Sequence, residues 1–414
     1  MKKLNIISFF TSLLCVFCLS GCSKSEQPGT VKQPQALSIV LGAHANSMGL
    51  NLNNLVVQDT VSSAVKSNGY VSVICIDGDP DLLAANLYEI PAQYANSNKT
   101  KLEADALMKA NNMLSELEVV KADDPESDVL GSLRLAVRSL ADISGMEKSI
   151  LVIDSGLSTT GVMDFNSNLI LANPKELANM LDKRSAIPDF EGITVIWLQM
   201  GDTAAPQEPL TDAQRENLTA IWKAIIEKTG GTFICSEAPA NKVNNNSDYP
   251  VVSPVILPDE IPIAYDPVAV KAAISSVDDN LFREPQFLSE EQVKFIGDSD
   301  QYINAMQAEE VIRPIAQYME SHPDIRLLLI GTTAGDETTE FSLQLSKART
   351  ETVKSTLISL GIASSRIDTL GLGPDDPWHI YGVGTGMNDP LASANRKVVL
   401  LDATSETAIE LMNS

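Results

Sequence analysis

The sequence predicts two domains: a doubly wound, mostly parallel α/β sheet, followed by an α+β sandwich. Three observations lead there. The chain has 414 residues, more than one hydrophobic core ordinarily organises. Its first half alternates short, wholly apolar runs with amphipathic helical segments, the pattern of a parallel sheet covered on both faces. After a stretch rich in Pro and Asn, its second half changes rhythm to longer helices between isolated strands.

The elements follow in order. Residues 1–21 carry Lys2, Lys3 and the apolar run LNIISFFTSLLCVFCL, a secretory signal too short for a settled membrane span. Residues 22–35, polar with Pro28 and Gly29, read as a tether. From 36 to 237, the runs ALSIVLG, YVSVICI, KSILVID, GITVIWL and GTFICS read as strands. Helices intervene at residues 101–120, 128–143 and 211–231, the last opening on Thr211 and stopping at Gly230 and Gly231. Residues 238–286 read as an extended connector. From 287 to 403 come a strand-like start at EEQVKFIG and the helix AMQAEEVIRPIAQYMES. The strand IRLLLIG, the helix LSKARTETVKSTLISLGI and the strands IDTLGLG and NRKVVLLD follow. They predict a sandwich with helices on one sheet face, and residues 404–414 form a tail.

Composition narrows the function. A net charge of −24 excludes nucleic acid as a partner, because phosphate neutralisation needs a basic face. It also excludes electrostatic docking on anionic lipid. Aromatic residues make up 5% of the chain, which points to an aliphatic core rather than a stacking platform. Cys15 and Cys18 lie in the signal, and Cys75 and Cys235 sit in strand-like runs as buried thiols. No cofactor motif and no metal-ligand cluster stands out, and nothing marks the chain as an enzyme.

The signal ends in Leu19-Ser20-Gly21-Cys22 and is followed by the polar tether. This resembles a bacterial lipobox, which implies cleavage before Cys22 and acyl chains on it. The protein is then expected on a membrane face outside the cytoplasm, anchored by lipid in the cell envelope. A plain secretory peptide with an incidental cysteine is the alternative.

Residues 36–237 resemble a von Willebrand factor A domain in the order of their elements. That fold implies a divalent metal held after the first strand by Asp-x-Ser-x-Ser, by a Thr before a central helix, and by an Asp after the fourth strand. Asp154 fits the last position and Ser127 stands near the Thr position, but Gly42, His44 and Asn46 occupy the first motif. Losing that first Asp argues against a hard cation such as Mg²⁺. Strand ends are where ligands sit in such sheets, so His44, Asn46 and Asp154 are a candidate pocket for a protein partner. They also serve as loop-capping groups, and Ser155 with His44 and Asp154 formally supplies a Ser–His–Asp set, though DSGLS lacks the GxSxG elbow. The resembled strand order sets Cys75 and Cys235 too far apart for a disulfide.

Residues 287–403 resemble the OmpA-like, peptidoglycan-associating domain. Val293, Phe295 and Ser299 match its opening; Gly331 and Thr333 its Gly-x-Thr-Asp loop; Leu345, Ser346 and Arg349 its helix; Gly361-Ile362 and Arg366-Ile367 the next turn; Asn395-Arg396 its close. In that family the loop Asp and the helix Arg grip the carboxylate and amine of the stem-peptide diamino acid, two charge-assisted contacts. Here Arg349 is kept, but Ala334 stands at the Asp position and Ser342 at the family's Asn. The resemblance implies a peptidoglycan site of Arg349, Ser346, Ser342 and Thr333. Asp336, followed by Glu337, is the candidate substitute acid. One lost charge-assisted contact weakens binding by about ten- to a hundredfold.

Overall fold

The computed structural model describes residues 33–44, 47–48, 54–88, 98–236, 249–258, 261–274, 280–382 and 389–414. The signal, Cys22 and Asn46 lie outside the described residues.

The first domain is built on six strands: β1 (Gln35–Gly42), β2 (Tyr70–Ile76), β3 (Asp81–Leu87), β4 (Glu147–Ile153), β5 (Ile193–Leu198) and β6 (Thr232–Ser236). They lie in the order β3-β2-β1-β4-β5-β6. Five are parallel, and β3 runs antiparallel to β2, so the sheet is mixed with one antiparallel edge. Both faces of the central strands are buried. On β1, Leu37, Ile39 and Leu41 face α1 (Leu55–Lys66) and α2 (Lys99–Leu117), while Ala36 and Val40 belong to the opposite core. That opposite core is closed by α3 (Val129–Ala141), α4 (Pro174–Lys183) and α5 (Asp212–Lys228), around Trp197 and Trp222. Three of these elements, α1, β3 and α4, are additions to the sequence reading.

The second sheet has the order β10-β9-β11-β8-β7: β7 (Ile263–Ala264), β8 (Gln286–Ser289), β9 (Leu327–Thr332), β10 (Ile367–Gly373) and β11 (Lys397–Asp402). β11 is antiparallel to β8 and β9, whereas β9 and β10 are parallel. α7 (Ala305–Ser321) and α8 (Glu340–Ser359) pack on one face around Leu327, Leu329 and Leu400. α8 lies directly on the sheet backbone. A Cβ on Gly331 would stand 2.1 Å from Ser346 O, and one on Gly371 2.5 Å from Lys347 N. Only glycine permits that approach, and it fixes where Ser346 and Arg349 sit.

Several expectations are corrected. The other sheet face is not bare: Leu328, Ile330, Val399 and Leu401 pack with Trp378 and with α10 (Glu406–Asn413), so residues 404–414 are a helix rather than a tail. The strand-like start is displaced. The strand is Gln286–Ser289, and Phe295 makes only an isolated bridge to Tyr302. The connector is divided between the domains. β7 and α6 (Pro267–Ala273) join the second domain, with Tyr265, Val270 and Phe282 in its core, because these apolar residues fill space beside α7. Residues 249–258 run extended over the first domain. Finally, Cys235 is exposed rather than buried.

Cys75 and Cys235 lie on β2 and β6, four strand spacings apart, or about 19 Å at ~4.8 Å per strand. They are not joined. Burial, reinforced by nearby carboxylates, pushes the Cys75 thiol up to about 12, as suits a buried hydrophobe.

The domains touch through the segment after β10. Ile380 and, from α9 (Pro390–Asn395), Leu391 enter the first domain's core. Asn168 Nδ2 donates to His379 O at 2.7 Å, and Tyr381 N donates to Ser167 O at 3.0 Å.

Candidate functional site

At the end of β9, α8 turns Arg349 inward. The residue is 8% exposed and lines a cavity of about 20 Å³ with Glu290, Phe295, Gly331, Thr332 and Arg396. Its Nε donates to Ser299 O at 3.0 Å and a terminal nitrogen donates to Ile296 O at 3.4 Å. The guanidinium lies 5.2 Å from the centre of the Phe295 ring. Burial lowers its pKa; Glu290, Asp298 and Asp300 oppose that shift, and Arg396 adds to it. Glu290 is itself bound by Arg396, at 2.8 Å. The carbonyls of Ile296 and Ser299 thus occupy N–H groups that a ligand carboxylate would take. A ligand carboxylate would compete with these two carbonyls or use the remaining guanidinium N–H groups.

The other sequence-predicted residues do not join Arg349. Ser346 Oγ donates to Leu343 O at 3.0 Å and accepts from Gly373 N at 3.1 Å, which ties α8 to β10. Ser342 is the N3 partner of Thr339 in a capping box. α8 accordingly starts at Glu340, ahead of the expected Leu345, and its N-terminus is about 14 Å along the axis from Arg349. Helix-end donors therefore do not serve this cavity. Thr333 N donates to Gly373 O, and its buried Oγ1 has no partner among the described residues. Asp336 faces elsewhere: Oδ2 accepts from Gly382 N at 3.1 Å and Oδ1 lies 3.4 Å from His379 Nε2. It is no substitute for the missing acid at 334. The acids that do surround Arg349, namely Glu290, Asp298 and Asp300, were not found from sequence; their only signal was a cluster of carboxylates in LSEE and GDSD.

A second site lies at the carboxyl ends of β1 and β4. His44, Ser127, Asp154, Ser155, Thr159 and Gln207 line a cavity of about 20 Å³ there. Asp154 is buried, with Oδ1 accepting from Gly156 N at 2.7 Å. Burial pushes its carboxyl up to about 6, against backbone hydrogen bonds that pull it down. A Cβ on Gly42 would meet Asp154 Oδ2 at 2.2 Å. The Asp154 carboxylate therefore fills the space that a first-strand carboxylate would need. His44 Nε2 lies 3.1 Å from Asp124 O, and burial lowers its pKa. Among the described residues no hydrogen bond joins His44 to Ser155 or Asp154, so the Ser–His–Asp set is not assembled. Ser127 Oγ is buried without a partner among the described residues. Among those residues, no group of three or more His, Cys, Asp or Glu side chains is placed to hold a metal.

The C-terminal domain is OmpA-like: the model of the OmpA family matches residues 298–389. Similar solved structures include the OmpA-like domain of FopA1 from Francisella tularensis, at 19% identity, covering 35% of this chain and 90% of that one, with a TM-score of 0.22. The peptidoglycan-associated lipoprotein from Burkholderia pseudomallei is 25% identical over 33% of this chain and 98% of its own, with a TM-score of 0.24. The cell wall anchor of the T6SS from Pseudomonas aeruginosa is 19% identical over 32% and 90%, with a TM-score of 0.24. No curated protein matches the chain. Among the described residues no helix is long and apolar enough to cross a membrane.

Proposed function

We propose that this protein is a non-enzymatic, lipid-anchored envelope protein that ties a membrane to the cell wall. Acyl chains on Cys22 hold the membrane, and the OmpA-like domain holds peptidoglycan at the Arg349 cavity. The observation that carries the reading is the OmpA family match over residues 298–389, which includes Arg349. One feature makes the grip weak: Ala334 supplies no carboxylate for the ligand's amine. Sedimentation of purified Cys22→Ser protein with peptidoglycan tests this. Weak but saturable binding is expected, tightened about ten- to a hundredfold by Ala334→Asp and lost in Arg349→Lys, which cannot form the two-pronged contact. Equal sedimentation of the parent and Arg349→Lys sinks the reading of the site.

For the α/β domain we propose a second role: binding a protein partner at its strand-end loops. The polar floor of His44, Ser127 and Asp154 favours it. A partner that co-purifies with the parent and is lost in His44→Ala protein of unchanged stability tests that role; capture by both forms equally contradicts it.

A further inference from the structure

Residues 249–258, Tyr-Pro-Val-Val-Ser-Pro-Val-Ile-Leu-Pro, cross the carboxyl ends of the first sheet as an extended strap. Prolines recur every four residues, at 250, 254 and 258. Val252 and Val255, three residues apart, are 8% and 4% exposed, whereas Val251 and Ile256 are 54% and 80% exposed. Three residues is one turn of a polyproline II helix, which has no internal hydrogen bonds and offers its backbone to a partner. The first domain takes up that offer mainly with side chains. Gln207 binds both main-chain polar groups of Val255: Val255 N donates to Gln207 Oε1 at 2.7 Å, and Gln207 Nε2 donates to Val255 O at 3.1 Å. Gln214 Nε2 donates to Pro258 O at 2.8 Å. Ser253 N donates to Pro125 O at 3.0 Å, and its Oγ donates to Glu126 at 2.8 Å. Val252 and Val255 line the cavity whose floor is His44, Ser127 and Asp154. The strap leaves the Ser127 hydroxyl beneath it without a partner among the described residues.

We propose that this groove is a recognition site for proline-punctuated extended peptides, held closed by the chain's own residues 249–258. The inference rests on the partner-binding reading of the α/β domain and names its ligand: an extended segment with prolines and with aliphatic side chains three residues apart. Side-chain amides that clasp a main chain recognise such a segment largely through its backbone, so a partner's segment can replace the strap. A polar side chain on the incoming segment would also reach Ser127, which the strap's valines cannot engage.

Two measurements decide it. Native-state hydrogen exchange on the unmodified protein reads whether the strap opens by itself. The Ser253 and Val255 amides are expected to exchange at least a hundredfold faster than the amides of β1 and β4. Exchange of both sets at one rate makes the strap part of the core and overturns the proposal. Fluorescence anisotropy with a labelled peptide of the sequence of residues 249–258 reads whether the groove accepts a peptide. Val255→Asp protein, its own strap displaced, is expected to bind the peptide at least tenfold more tightly than the parent, and Val255→Asp with Gln207→Ala is expected to lose that gain. No gain in a Val255→Asp protein whose tryptophan fluorescence matches the parent overturns the peptide site, while the partner reading survives on other loops. Loss of the fold in Val255→Asp also overturns it, since the strap would then be integral.

Discussion

Replacing Asp154 by Asn should stabilise the first domain at neutral pH and remove part of its pH dependence. Asp154 sits at the end of β4 with no cation beside it among the described residues; its oxygens face Gly156 N and the bare backbone of Gly42. Burial raises its carboxyl from 3.8 to about 6. A raised acid contributes stability that is fully present below pH 3.8 and is lost as pH rises to about 6. At about 1.36 kcal/mol per tenfold change in proton affinity, that loss is about 3 kcal/mol. The amide introduced by Asp154→Asn keeps the acceptor for Gly156 N and never ionises. The variant should therefore match the parent near pH 4 and exceed it by roughly 2–3 kcal/mol at pH 7. The assay is urea unfolding at pH 4, 5, 6 and 7 in a Trp378→Phe background, followed by fluorescence of the remaining Trp197 and Trp222. Those indoles report on the site, since Trp197 Nε1 donates to Asp154 O at 2.8 Å and Trp222 Nε1 to Gly156 O at 2.9 Å. An Asp154→Asn protein less stable than the parent at pH 7 would refute the reasoning. The ionised carboxylate would then have a positive partner at the strand ends.

Three further outcomes are expected. Millimolar Mg²⁺ or Ca²⁺ should leave the melting temperature of the parent unchanged; a rise abolished by Asp154→Ala would show a cation site. Gly331→Ala should destabilise the second domain by roughly 1–3 kcal/mol in thermal unfolding, because its methyl meets Ser346 O at 2.1 Å; an unchanged transition would mean that α8 does not rest on β9. Thiol titration of the denatured, unreduced protein should find both Cys75 and Cys235 reactive, and finding neither would contradict the strand order.

Strands built from β-branched and aliphatic runs were legible in the sequence, because burial on both faces leaves few polar residues, such as Ser38 and Ser72, to interrupt them. β3 was not. Asp81–Leu87 has no β-branched residue, and as an exposed edge it owes its pairing to β2 rather than to its own side chains. α1 was hidden by its valines, threonine and serines, which favour helix weakly; packing of Val57, Val61 and Val65 on β1 overrides that preference. In the second domain Arg349 could be singled out, since its motif is local. Its partners could not, because they are main-chain carbonyls of Ile296 and Ser299, which carry no side-chain signature. Proximity in sequence misled at Asp336, where contacts to His379 and Gly382, more than 40 residues away, direct the side chain off the site.

The bridge itself is the most direct object of measurement. Full-length protein with acylated Cys22, reconstituted in fluorescent lipid vesicles, is mixed with purified cell-wall sacculi, which are then collected by low-speed centrifugation. Sacculi are expected to carry vesicles into the pellet; Arg349→Lys should leave most of them in the supernatant, and Ala334→Asp should increase the pelleted fraction. Vesicles densely loaded with parent protein that stay in the supernatant, or that pellet equally with Arg349→Lys, would contradict the bridge.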